Sequence, residues 1–133
     1  MKLAFLIHMC DQQKTVCILD DDPDIRKALE RMLTLKGYCT RSFASVTEFY
    51  AGTQSQEVDC LILDIHLNGE SGIDLKRQLS KEVPSLPVIF ITGCDTDANR
   101  RAVKQVGGAA YLPKPFGSKA LIEAIESATR SRS

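Results

Sequence analysis

From residue 15 onward the apolar positions follow two rhythms in turn. Three runs, VCIL at 16–19, CLIL at 60–63 and VIFI at 88–91, are apolar on consecutive residues. Such runs suit strands covered on both faces, as in a parallel sheet, rather than the alternation of a half-solvated strand. With two less continuous segments they predict strands at Thr15–Leu19, Tyr38–Phe43, Asp59–Leu63, Pro87–Thr92 and Ala109–Leu112. Between them the period lengthens. Ile25, Ala28, Leu29, Met32 and Leu33 fall at i, i+3, i+4, i+7 and i+8, a single helical stripe, and Gly37 is a good C-terminal stop. Ser45 and Glu48 fit a capping box ahead of Phe49. Ser71–Lys81, Asp95–Val106 and Ser118–Thr129 complete the set, with Leu121, Ala124, Ile125 and Ala128 at helical spacing in the last. Five strand–helix units joined by right-handed crossovers imply a three-layer, doubly wound α/β fold.

Composition narrows this picture without redirecting it. A chain of 133 residues is the size of one domain with one real core, and 44% apolar with 26% charged residues is an ordinary folded balance. Lys+Arg and Asp+Glu are equal at 17 each, so no overall field favours nucleic acid or a membrane surface. The five cysteines (Cys10, Cys17, Cys39, Cys60, Cys94) show no CxxC or Cys/His metal spacing, and a reduced, cytoplasmic chain is expected. The apolar run Leu3–Ile7 is too short for a secretory signal, and no membrane-spanning run is present. The expected organisation is an N-terminal extension of unknown role over 1–14, one domain over 15–130, and a frayed tail over 131–133.

Ligands of open parallel sheets bind beyond the carboxyl ends of the strands, so the residues just past each apolar run carry the chemistry. Asp20 and Asp21 come after the first run, Asp64 after the third, Thr92 after the fourth and Lys114 after the fifth. Three acids, a hydroxyl and an ammonium would converge on one edge. Two or three carboxylates attract a hard divalent cation such as Mg²⁺ or Mn²⁺. One carboxylate can act as nucleophile toward a phosphoryl group, whose spread charge suits the metal, the ammonium and the hydroxyl. The stretch ILDDDPD holds two further acids with a different reading. Asp22 before Pro23 fits a helix N-cap with proline at the first helical position, and Asp24 lies in the first turn, where the helix dipole favours negative charge.

The motifs ILDDD, LILDIHL with Gly72 eight residues beyond its central Asp64, VIFITG and YLPKPF occur in this order. On these motifs residues 15–130 resemble the receiver domain of bacterial two-component response regulators, in particular receivers that carry helix-turn-helix output domains. The resemblance implies a flavodoxin-like five-stranded parallel sheet of order 2-1-3-4-5. It implies that Asp64 accepts a phosphoryl group from the phosphohistidine of a sensor histidine kinase, and that Asp20, Asp21, Asp64 and the backbone carbonyl of His66 hold Mg²⁺. Thr92 and Lys114 would contact the phosphoryl group. Thr92 and Tyr111 would switch together, the Lys114–Pro115 bond would be cis, and the face built by the fourth helix, fifth strand and fifth helix would change its partner preference or form a homodimer. DNA would be reached only through an output domain beyond this chain, and the catalysis would be limited to self-phosphorylation and self-dephosphorylation. His66 and Cys94, two residues beyond Asp64 and Thr92, are candidates for tuning the phosphate lifetime.

Blander readings stand beside each of these. Asp20 and Asp21 fit an exposed turn, Thr92 and Asp95 fit helix caps, Lys114 a solvated turn, His66 and Cys94 an idle rim, and Tyr111 static packing. Two other functions fit the same residues: an interaction module that keeps the fold without switching, and a haloacid-dehalogenase-type phosphatase. The latter would use Asp20 and Asp22 as D-x-D, but no acidic pair comes after Lys114 at a strand end, since Glu123 and Glu126 lie in the last helix. One departure from the receiver pattern is Leu67-Asn68-Gly69 where a Met-Pro pair is common. Loss of the proline and gain of a glycine should loosen that loop.

Overall fold

The computed structural model describes residues 13–54 and 57–130, so the 1–12 part of the expected extension and the expected tail lie outside the described residues. Five parallel strands, β1 (Thr15–Leu19), β2 (Cys39–Phe43), β3 (Cys60–Asp64), β4 (Val88–Thr92) and β5 (Ala110–Pro113), form one sheet. Their order is β2-β1-β3-β4-β5, the doubly wound arrangement expected. Helices α1 (Pro23–Leu35) and α5 (Ser118–Arg130) cover one face, and α2 (Val46–Thr53), α3 (Gly72–Glu82) and α4 (Asp97–Gln105) cover the other.

The consecutive apolar runs are explained by this sandwiching. Along β1, Cys17 and Leu19 enter the core beneath α2–α4 while Val16 and Ile18 enter the one beneath α1 and α5. The strands β3 and β4 divide in the same way, and Leu61, Ile62, Leu63, Ile89, Phe90 and Ile91 are wholly buried. Each such side chain contributes about 1.5–3 kcal/mol by leaving water, so the three central strands form the rigid base on which the loops stand.

The helix ends obey local rules. Asp22 caps α1 by accepting the Asp24 N–H, and Pro23 sits at its first position. Ser45 caps α2 through the Glu48 N–H, while Glu48 returns to the Ala44 N–H. Gly37 stops the first unit at a φ of 92°. One cap differs from expectation: Thr96, not Asp95, accepts the Asn99 N–H and begins α4. Asp95 has instead been drawn to Arg100 and Tyr111.

The loop after β3 forms a short hairpin. His66–Leu67 pairs antiparallel with Glu70–Ser71, closed by Asn68 and by Gly69 at a φ of 78°. With Asn68 at negative φ and Gly69 at positive φ, the glycine supplies the left-handed residue that closes so short a turn. The hairpin returns the chain to the sheet, so that Ser71 caps α3 and the Gly72 N–H donates to Ile65 O at 2.7 Å. Cys17 and Cys60 are buried free thiols and Cys94 is an exposed one, in agreement with the reduced state expected of them.

The position of Gly72 is sterically exclusive: a Cβ there would lie 2.2 Å from the carbonyl oxygen of Asp64. Gly72→Ala is therefore expected to lower unfolding free energy by about 2–3 kcal/mol in urea titration. Gly93→Ala, where a Cβ meets nothing within 4 Å, should stay within about 0.5 kcal/mol of the parent.

Candidate functional site

Parallel register brings the strand ends to a common edge. Leu19 pairs with Leu63, Asp64 with Ile91, and Thr92 with Pro113. The residues just past those positions are therefore forced together. Carboxylate oxygens of Asp20, Asp21 and Asp64 all lie within 4.8 Å of one another. Asp20 is fully buried, Asp64 is 6% exposed and Asp21 is half-buried.

Each acid is held by its own partners. Asp20 accepts the Asp22 N–H at 3.0 Å on one oxygen and the Lys114 ammonium at 2.9 Å on the other. Asp64 accepts the His66 N–H at 3.3 Å and the Lys114 ammonium at 3.2 Å. Asp21 accepts the Asn68 N–H at 3.0 Å, a bond that proline at position 68 would abolish. Lys114 thus bridges two acids, and the Lys114–Pro115 bond beside it is cis.

Three carboxylates and one ammonium leave an excess of negative charge in a poorly hydrated place. Burial and the Asp20 carboxylate push the Asp64 pKa up to about 6, against the pull of Lys114 and the His66 N–H. Burial pushes the Lys114 ammonium down, but its bonds to Asp20 and Asp64 outweigh this and hold its pKa above the ordinary lysine value. The hard oxygen donors, close spacing and uncompensated charge fit a divalent cation held by Asp20, Asp21 and Asp64.

Not every expected site residue joins this cluster. Thr92 is wholly buried at the end of β4, but its hydroxyl is engaged by Cys94, accepting the Cys94 N–H at 2.9 Å and donating to the Cys94 carbonyl at 3.3 Å. Tyr111 is half-buried on β5, and its hydroxyl donates to Asp95 at 2.9 Å. His66 and Cys94 have exposed side chains at the rim. Asp22 is exposed and committed to capping α1, so the D-x-D pair needed by a haloacid-dehalogenase-type phosphatase is not formed. Residues that sequence reasoning passed over are Asn68, whose signal was the missing proline, and Arg100, which binds Asp95 and left no local signal.

Comparison with known proteins agrees with this geometry. The family model of the response regulator receiver domain matches residues 16–126. The C4-dicarboxylate transport transcriptional regulatory protein DctD of Rhizobium meliloti is 34% identical over 118 residues, covering 89% of this chain and 26% of that protein. The response regulator protein TodT of Pseudomonas putida is 33% identical over 126 residues, covering 94% of this chain and 55% of that protein. A solved CheY-like receiver domain protein from Methanospirillum hungatei superposes with a TM-score of 0.84 at 26% identity, covering 90% of this chain and 96% of its own. The fold and the acidic edge define a doubly wound signalling module, and the chain belongs to the response regulator receiver domain family. It spans from about a quarter to about half the length of these curated relatives.

The raised Asp64 pKa has a definite sign for stability. Between about pH 4 and pH 6 the native carboxyl holds a proton that the unfolded chain has lost, so this group's contribution falls as pH rises through that window. Asp64→Asn removes the like charge and is expected to be more stable than the parent at pH 8, by about 1–2 kcal/mol. It should also flatten the fall between pH 4 and 6. Urea titrations of both proteins across this range read both effects.

Proposed function

We propose that this receiver works as a phosphorylation-activated switch in which Asp64 is the phosphoacceptor. The observation that carries the reading is the position of Asp64. It ends the central strand and is nearly buried, with Asp20 and Asp21 beside it and Lys114 on its Oδ2. A phosphohistidine of a sensor histidine kinase is the donor. An Asp64 oxygen attacks phosphorus, the bond from phosphorus to the histidine nitrogen breaks, and the imidazole keeps that electron pair. The nucleophile must be ionised, and a pKa of about 6 allows this at neutral pH.

Asp20, Asp21, Asp64 and the backbone carbonyl of His66 would hold Mg²⁺ or Mn²⁺, which when bound supplies positive charge against the phosphoryl oxygens. Lys114 is already placed between Asp20 and Asp64 and tracks the charge as it moves onto the phosphoryl group. The Thr92 hydroxyl turns from Cys94 toward the new anion, and Tyr111 responds on the face built by α4, β5 and α5. That face then changes its preference for an output domain, a partner or a second copy of the chain, and any DNA contact belongs to such an output domain. A phosphoryl group adds about −1.5 to −2 charges, enough for its contacts to shift two packings of one loop. The exposed side chains of His66 and Cys94, two residues beyond Asp64 and Thr92, set how fast water removes the phosphoryl group. Catalysis in this reading ends with self-phosphorylation and self-dephosphorylation in a cytoplasmic protein. Among the described residues, no helix is long and apolar enough to cross a membrane.

Incubation with acetyl phosphate and Mg²⁺ is expected to add the mass of one phosphoryl group to the intact chain. The adduct should be absent with EDTA and in Asp64→Asn. An unmodified wild-type chain that also fails to bind Mg²⁺ would falsify this reading.

A further inference from the structure

Three side chains close a ring on the output face, and none of them touches the acid cluster. The Tyr111 hydroxyl donates to Asp95 Oδ1 at 2.9 Å. Arg100 donates to the same carboxylate side-on, from Nε to Oδ1 at 2.8 Å and from Nη2 to Oδ2 at 2.8 Å. Its guanidinium carbon also lies 4.8 Å from the Tyr111 ring centroid. The ring joins α4 through Arg100, β5 through Tyr111 and the β4–α4 loop through Asp95.

That loop is the same one that holds Thr92. Thr92 Oγ1 accepts the Cys94 N–H, and the Cys94 carbonyl accepts Asn99 Nδ2 at 2.8 Å. Thr92 and Asp95 lie three residues apart on this loop, and a Thr92 hydroxyl turned toward a phosphoryl group gives up its bonds to the Cys94 N–H and carbonyl, releasing the backbone that leads to Asp95. The Asp95 carboxylate accepts three bonds from Arg100 and Tyr111, while Thr96 caps the helix.

We propose that Asp95, Arg100 and Tyr111 form a latch that holds the unphosphorylated arrangement, fastening Tyr111 outward until the loop between Thr92 and Asp95 is pulled toward Asp64. Asp95 and Arg100 are positioning residues acting through Tyr111. The inference rests on the switch reading above, with Thr92 and Tyr111 as its moving parts. Arg suits this place because its planar fork binds a carboxylate with two bonds while its face stacks on an aromatic ring. Linkage sets the direction: any contact present only in the resting arrangement opposes a ligand that selects the other one.

The test is the affinity of the Mg²⁺-loaded protein for beryllofluoride, a phosphoryl mimic, measured by calorimetry on wild type, Asp95→Ala, Arg100→Ala and the double variant. The contacts are exposed, so each single variant is expected to tighten binding by about two- to fivefold. The double variant should gain no more than the stronger single, because both changes open one ring. A merely structural role would weaken binding or leave it unchanged. Where a variant fails to fold, Tyr111→Phe, which keeps the ring and loses only the hydroxyl, should tighten binding in the same direction. Equal or weaker binding in the folded variants overturns the latch and leaves the switch reading standing. No binding in wild type overturns both.

Discussion

The arrangement depends on a repulsion that the fold does not relieve. Parallel pairing of three central strands brings Asp20 and Asp64 to one edge, with Asp21 beside them and the Lys114 ammonium bridging Asp20 and Asp64. Asp64 is therefore a strained anion, with its pKa lifted by burial and by Asp20. Relief comes from a proton, a divalent cation or a covalent change at the carboxylate itself. A site built only for stability would replace one of these acids with a neutral group. Three acids so close together fit the divalent cation proposed for this edge.

The scaffold resists relaxing this strain in any cheaper way. Strands β1, β3 and β4 are apolar on both faces and buried along their length, so their ends cannot drift apart. Gly72 tightens the constraint further, since the α3 N-terminus packs directly on the carbonyl of Asp64. The hairpin from His66 to Ser71 adds its own tie through the Asn68 N–H to Asp21. On the far side of Thr92 the bonds are of another kind. The Cys94, Asn99, Asp95, Arg100 and Tyr111 contacts are polar and largely exposed, and such contacts exchange more readily than packed aliphatic ones. Rigid packing beneath the acids and exchangeable bonds beyond Thr92 allow one local charge change to be felt at a distant face.

Much of the fold was legible because its causes are local. The apolar runs VCIL, CLIL and VIFI, the caps Asp22 and Ser45 and the stop at Gly37 each act within a few residues, and the structure has them where the sequence placed them. Element ends moved by one or two residues, most visibly at α4, which starts at Asp97 behind Thr96 rather than at Asp95. The acid cluster was legible for a related reason: in a doubly wound sheet, the residues at the carboxyl ends of neighbouring strands must meet at one edge.

The order of strands and helices, and the residue types delivered to the carboxyl edge, were determined by the chain itself, because periodicity and strand-end position act along the backbone. Tertiary structure decided which partner each polar group chose. Asp95 is a good cap by local rules, but Tyr111 lies sixteen residues further on and Arg100 five, and together they took it. Lys114 reached Asp20 across 94 residues, and Asn68 reached Asp21 across 47. Hydrogen-bond partners are settled by competition among groups that only folding brings into range, and no local pattern records the winner.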